Sequence, residues 1–129
     1  MGGSDVELAR RLELEVWGRG RLEVLDQIAA EDYTVHDVGL GRTIVGRDAV
    51  REDMVWFRSA FAIHEVVLEE VLASGGCVAV RWTMRATHVG DFAGIAPTGC
   101  PVEARGVDML RIEQGRLAEG WVIANDSDL

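Results

Sequence analysis

Lysine is absent from this chain, and all 13 of its basic residues are arginine. A phosphate-binding loop of the Walker type needs a lysine, so the sequence excludes that kind of nucleotide site. Cysteine is also scarce. Cys77 and Cys100 have no further Cys or His at zinc-ligand spacing, and two cysteines do not make a disulfide framework. We therefore expect neither a metal nor a cofactor.

Long hydrophobic runs and positive charge are scarce as well. No apolar stretch is long enough to span a bilayer, and no charged start followed by an apolar segment marks a secretion signal. The formal net charge of −9 repels phosphate backbones, which disfavours nucleic-acid binding. With 48% hydrophobic residues and two prolines, the chain is expected to form a single domain over residues 1–129, cytoplasmic and without a membrane partner.

The spacing of apolar residues predicts helices first and strands afterwards. Helical periodicity covers residues 4–18, 22–28 and 47–61. Alternation predicts a brief strand at residues 33–38 and four long strands over residues 63–72, 78–88, 101–112 and 117–125. Because the long strands are joined by glycine-containing turns, we expect an α+β fold in which three N-terminal helices cover one face of a curved, mostly antiparallel sheet.

Asp108 is the charged residue that stands out on an otherwise apolar strand face. Alternation places it with Val102, Ala104, Gly106 and Leu110. An unpaired carboxylate in such a position costs several kcal/mol, so its pKa is expected to rise toward the range useful for proton transfer. The alternative is a structural Asp satisfied by arginine or backbone donors.

Two histidines are candidate partners of Asp108. His36 lies in the short strand after Tyr33, and His88 ends the long strand that begins at Val78. Either would approach Asp108 if the sheet curled over a cavity, and a His–Asp pair fixes the imidazole tautomer and stabilises its protonated form. Each is otherwise a hydrogen-bonded core or rim histidine.

Several large side chains are candidates for an apolar pocket around this site, with packing in the ordinary core as the alternative. They are Trp56, Trp82, Met84, Phe92 and Trp121.

Three stretches of the chain resemble one known family. They are Val78-Ala-Val-Arg-Trp-Thr83, the loop-containing segment over residues 87–99, and Gly106-Val-Asp-Met-Leu-Arg-Ile-Glu-Gln-Gly-Arg116. Together they resemble the SnoaL-like polyketide cyclases of the nuclear transport factor 2-like superfamily. The loop Gly90 to Gly99 is the most specific part of the resemblance, which covers nearly the whole chain.

The resemblance implies a cone-shaped α+β barrel with an apolar pocket, assembled as a homodimer through its sheet. It also implies cofactor-free acid–base chemistry, such as aldol ring closure, isomerisation, dehydration or epoxide opening. Asp108 falls at a pocket position of the family. Many relatives carry a His and then an Asp on the final strand, where this chain has Gly120 and Val122, and Asn125 replaces a further acid. Where the epoxide hydrolases have an arginine, this chain has Gly106.

The sequence therefore predicts a cyclase or isomerase acting on a hydrophobic, polyketide-like compound from natural product biosynthesis. Asp108 would be the general acid or base, with His36 and His88 as partners and Tyr33 and Asn125 as hydrogen-bond donors. Two alternatives stay open: a non-catalytic protein that binds or sequesters a hydrophobic small molecule, and an epoxide hydrolase that pairs Asp108 with a different arginine.

Overall fold

The computed structural model describes residues 2–125, and the helical segments occupy the N-terminal part. Helix α1 spans Gly2–Arg10 and runs directly into a π-helical segment, Arg11–Gly18. A single 3₁₀ turn, Leu22–Val24, leads into the short helix α2, Leu25–Ile28. The longest helix, α3, spans Arg47–Ala60. These elements confirm the three helical regions that the periodicity predicts.

Six strands form one mixed sheet, which is not closed into a barrel. They are β1 Ala29–Asp37, β2 Arg42–Val45, β3 Phe61–Ser74, β4 Cys77–His88, β5 Pro101–Glu113 and β6 Arg116–Asn125. Their order across the sheet is β2-β1-β6-β5-β4-β3. Within the described chain, β1 and β6 pair in parallel and the other neighbours pair antiparallel, as expected for a mostly antiparallel sheet.

Strand β2 is the element that the sequence analysis did not predict. It is a four-residue edge strand, and its side chains are mostly exposed, so it carries little apolar alternation. It forms a hairpin with β1, which begins at Ala29 rather than at Tyr33. This hairpin forms one rim of the cavity described below.

The core lies between the helices and one face of the sheet. Leu12, Val16 and Ile28 from the helical segments are buried against Val80 and Leu110 from the sheet. Each such side chain contributes about 1.5–3 kcal/mol by leaving water. Among residues 2–125, no helix has both the length and the hydropathy to cross a bilayer.

Candidate active site

A cavity of about 210 Å³ opens between the helices and the sheet. Its walls are mostly apolar, and all four tryptophans of the chain contribute to them. The aromatic residues of the lining are Trp17, Trp56, Phe57, Trp82, Phe92 and Trp121, with Tyr33. Such a concave, aromatic-rich space is typical of a site for a hydrophobic small molecule.

Glu13 and Asp108 form a buried carboxyl pair in the cavity wall. Glu13 belongs to the π-helical segment and is 3% exposed, while Asp108 lies on β5 and is 8% exposed. Their side chains hydrogen-bond to each other, which requires that the pair hold a proton. One oxygen of each, Glu13 Oε2 and Asp108 Oδ1, is buried without another hydrogen-bond partner in the described chain.

The pKa values of both carboxyl groups are raised, but the causes differ between the two. Burial raises the pKa of Glu13 well above its usual range, and the charge of Asp108 and the hydrogen bond to it raise it further. Burial also raises the pKa of Asp108, but the neighbouring Glu13 carboxyl and the indole N–H of Trp82 oppose the rise. The two groups therefore titrate as a pair, and the pair keeps a proton at a pH at which isolated carboxyl groups have lost theirs.

Tyr33 brings a hydroxyl group to the same place. Burial raises the pKa of Tyr33, and its electrostatic interaction with the acidic side chains of Asp108 and Glu13 raises it further, so the phenol stays protonated. Its oxygen lies 3.1 Å from where a β-carbon at Gly120 would be. The tyrosine hydroxyl thus uses space that a larger residue at position 120 would take.

Trp82 is held beside Asp108 by the absence of a side chain at Gly106. Trp82 on β4 and Gly106 on β5 face each other in the sheet. A β-carbon at Gly106 would clash with the indole ring of Trp82 and would lie 2.8 Å from the carbonyl oxygen of Ile123. The indole N–H opposes the rise in the pKa of Asp108, although it makes no full hydrogen bond to the carboxyl. Gly106 therefore positions a donor for the acid.

Replacing Gly106 with Ala is expected to destabilise the fold and to disturb the site together. The new methyl group forces the Trp82 ring away from β5, and overpacking of this kind costs about 1–3 kcal/mol. Urea denaturation measures the loss. Gly39→Ala is the matched control, because a β-carbon there meets its nearest atom, Asp37 Oδ1, at 3.8 Å. Equal stability of the two variants would contradict this packing argument.

His36 does not join Asp108, which corrects the geometric expectation from the sequence. Its ring lies on the opposite face of the sheet, where Nε2 is 2.5 Å from Glu119 Oε2 and Nδ1 is 3.1 Å from Thr43 Oγ1. It also stacks on Trp121 at 5.4 Å between ring centroids. The hydrogen bond from His36, together with Arg111, lowers the pKa of Glu119. His36 therefore takes part in a hydrogen-bond network outside the cavity.

His88 is also far from Asp108. Asp108 pairs with Val80, and His88 lies eight residues further along β4, a separation of about 26 Å at 3.3 Å per residue. Its ring is buried and stacks on Phe61 at 5.2 Å, and Nδ1 is 3.2 Å from Thr98 Oγ1. It anchors the loop over residues 89–100 rather than the cavity.

The other sequence-predicted site residues divide into two groups. Tyr33, Trp56, Trp82, Met84 and Phe92 line the cavity together with Asp108. Trp121 borders the cavity too, but alternation along β6 places its side chain on the outer face, where it stacks on His36. Asn125 does not, because it is exposed at the end of β6, where alternation places Gly120, Val122 and Ala124 on the cavity face.

Glu13 is the site residue that the sequence analysis missed. Its signal was present, because Ala9, Leu12 and Val16 share one helical face and Glu13 falls four residues after Ala9 on that face. All four side chains are buried. The helix is also π-helical at this point, a local form that is rare and often found at functional sites.

Charged residues surround the mouth of the cavity. Arg42 Nη2 is 3.0 Å from Asp53 Oδ1, and Arg42 Nε is 3.8 Å from Asp37 Oδ2. Arg42 is the one arginine in the described lining, and these two acids hold it away from Asp108, so the epoxide-hydrolase alternative lacks its Asp–Arg pair. No group of three or more potential metal ligands occurs within residues 2–125.

Comparison with known proteins identifies relatives over nearly the whole chain. A family model described as SnoaL-like polyketide cyclase matches residues 7–129. The structure is similar to AclR, a proposed hydroxylase from Streptomyces galilaeus, with 26% identity, TM-score 0.85 and coverage of 99% of this chain and 79% of that one. It is also similar to IdmH, a proposed polyketide cyclase from Streptomyces antibioticus, with 26% identity, TM-score 0.83 and coverage of 96% and 94%. A search of curated proteins gave no match.

Proposed function

This chain belongs to the SnoaL-like polyketide cyclase family, and we propose that it is a cofactor-free acid–base enzyme acting on a hydrophobic, polyketide-like carbonyl compound. The observation that carries the proposal is the buried Glu13–Asp108 pair in an apolar cavity. When the environments of two neighbouring carboxyl groups give them different pKa values, one group can act as an acid and the other as a base at neutral pH.

The proposed step is removal of a proton from the carbon next to a substrate carbonyl group. Asp108 accepts the proton as the C–H bond breaks, and the electron pair moves onto the carbonyl oxygen. In this proposal Glu13 holds the proton of the pair, and hydrogen bonds from Glu13 and from the Tyr33 hydroxyl stabilise the charge that develops there. The enolate then attacks an electrophilic carbon of the same molecule in a cyclase, or takes the proton back at another carbon in an isomerase.

This arrangement accounts for the residues that differ from the family pattern on β6. Val122 stands where many relatives have an acid, and it pairs with Asp108 on one side and with Asp37 on the other. Gly120 stands where they have a histidine, and the Tyr33 hydroxyl lies beside it. We propose that neighbouring strands and the first helical region supply the groups that β6 lacks.

Proton exchange on a simple ketone tests the proposal without knowledge of the natural substrate. β-Tetralone is a bicyclic ketone of suitable size with acidic protons next to its carbonyl group. The protein in D₂O should accelerate deuterium uptake at those carbons, followed by NMR, and the rate should rise with pH as Asp108 ionises. A rate equal to that of buffer containing Asp108→Asn protein would contradict the proposal.

Non-catalytic binding of a hydrophobic small molecule is the second candidate. It is favoured by the apolar wall that Gly120, Val122 and Ala124 form on the cavity side of β6. The same probe separates the two functions. A carrier would quench or enhance tryptophan fluorescence on binding β-tetralone but would leave its exchange rate at the buffer value.

We also propose that two copies associate through the outer face of the sheet. Val107, Met109 and Ile123 are exposed apolar residues on that face. Charges of both signs surround them, including Arg105 and Glu119, so the surface is complementary to a second copy of itself.

Introducing charge into this surface is expected to separate the dimer. In Met109→Arg, the new guanidinium would be buried against an apolar partner surface, which costs several kcal/mol. Sedimentation velocity should give a dimer for the parent chain and a monomer for the variant. Val38→Arg, which changes an exposed apolar residue at the β1–β2 hairpin, is the control. A monomeric parent chain would contradict the proposal.

A further inference from the structure

The charges lining the cavity are unbalanced. Four carboxyl side chains line it, those of Glu13, Asp37, Asp53 and Asp108, against the single guanidinium of Arg42 in the described chain. Even with the buried pair neutral, the carboxylates of Asp37 and Asp53 outnumber the guanidinium of Arg42 by one charge. The cavity is therefore net negative, and its apolar walls strengthen the field inside it.

The mouth acids, Asp37 and Asp53, are more buried than their partner Arg42. The side chains of Asp37 and Asp53 are 21% and 23% exposed, while that of Arg42 is 42% exposed. The contact between Arg42 and Asp37 is long at 3.8 Å. An ion pair between partly exposed side chains contributes only about 0.2–1 kcal/mol, so little free energy holds the guanidinium in this position.

Aromatic rings lie next to these acids. Trp56 and Phe57 follow Asp53 by three and four residues on α3, so the three side chains occupy one face of the helix. All three line the cavity. The faces of such rings attract ammonium groups by about 0.5–2 kcal/mol.

A second pair of acidic side chains, Glu13 and Asp108, lies in the wall of the same cavity. Glu13 Oε2 and Asp108 Oδ1 are buried without a hydrogen-bond partner outside their own pair in the described chain. Asp37 lies in the same row of the sheet as Asp108, with Val122 between them, which separates their backbones by about 10 Å. A molecule that fills the cavity thus meets acidic groups at two levels.

We propose that the substrate of this enzyme carries a basic amine, and that its ammonium group replaces Arg42 as the partner of Asp37 and Asp53. The inference rests on the proposed function, because the rest of the substrate occupies the cavity with its carbonyl group toward Asp108. An anionic group would face these acids without compensation. The preferred class is a hydrophobic amine, and hydrophobic carboxylic acids are disfavoured.

Three bicyclic probes of nearly equal size test the preference. β-Aminotetralin is cationic, β-tetralone is neutral and tetralin carboxylate is anionic at neutral pH. Their dissociation constants are measured by tryptophan fluorescence and checked by calorimetry. We expect the amine to bind about tenfold more tightly than the ketone and the carboxylate about tenfold more weakly. The preference for the amine should decrease as the salt concentration rises.

Two substitutions at the mouth should change amine affinity in opposite directions. Arg42→Gln removes the competing cation and should tighten β-aminotetralin binding severalfold. Asp53→Asn removes an acceptor and should weaken it about tenfold. Neither should change β-tetralone binding by more than about twofold, because the ketone has no charge to pair. If Arg42 only joined β2 to α3, both substitutions would affect all three probes alike.

Several results would overturn this inference. They are failure of β-aminotetralin to bind, equal affinities for the amine and the ketone, and a preference that persists in the Asp37→Asn, Asp53→Asn double variant. Catalysed exchange of β-tetralone without an amine preference would contradict this inference alone. An amine preference without exchange would contradict the acid–base function and leave a carrier of amines.

Discussion

Replacing Asp108 with Asn is expected to lower the rate of β-tetralone proton exchange by about 10²–10⁴-fold, the usual contribution of a positioned general base. The amide cannot accept the proton, but it matches the carboxyl in size and still hydrogen-bonds to Glu13. The far-UV circular dichroism spectrum and the affinity for β-tetralone should therefore change little. A loss of rate with unchanged binding would assign Asp108 to the chemical step.

His36→Asn is the matched control for this experiment. His36 is titratable and was predicted to act with Asp108, but its ring lies on the opposite face of the sheet and is hydrogen-bonded to Glu119 and Thr43. We expect the exchange rate and its pH dependence to stay at the parent values. A loss comparable to that of Asp108→Asn would show that the proton passes through His36, and the assignment of Asp108 as the base would be wrong.

Glu13→Gln is expected to raise the free energy of unfolding at neutral pH. The pKa of Glu13 is raised in the folded chain by burial and by Asp108, so the folded state holds a proton that the unfolded state releases above about pH 4.3. Stability is thus full below that pH and falls as the pH rises toward the folded pKa, by up to about 1.4 kcal/mol per pH unit for one proton. Gln has no such proton and still donates to Asp108.

Urea denaturation over a series of pH values from mildly acidic to mildly basic measures this effect. The parent chain should lose stability as the pH rises through this range, and the Glu13→Gln variant should show a shallower slope. Glu15→Gln is the control, because Glu15 lies in the same π-helical segment but is partly exposed and paired with Arg11 at 3.1 Å. Parallel pH profiles for the parent chain and Glu13→Gln would mean that Glu13 is not the residue holding the proton.

Prediction from the sequence was most accurate where a residue's environment depends on its own strand or helix. Alternation placed Asp108 on the buried face of β5 and Trp82 and Met84 on that of β4, and all three line the cavity. The family resemblance and the fold were confirmed by the family model and the structural neighbours. These inferences depend on local periodicity or on a few characteristic residues, and both can be recognised in the amino-acid sequence.

Prediction was less accurate where the answer depends on how distant elements meet. Glu13 was overlooked because a charged residue on a helix is normally solvated, and only the packing of the π-helical segment on the sheet removes it from water. His36 was placed beside Asp108 because both were expected near a cavity. The pairing of β1 with β6 directs its side chain to the other face.

The sequence by itself determined the fold class, the burial of Asp108 and the aromatic character of the cavity, because each follows from the order and periodicity of apolar residues. Only the tertiary structure decided that the acid has Glu13 as its partner and that Arg42 is held at the mouth by Asp37 and Asp53. These contacts join residues far apart in the chain. Their energies depend on burial and on distances between side chains, which are set when the helices pack against the sheet.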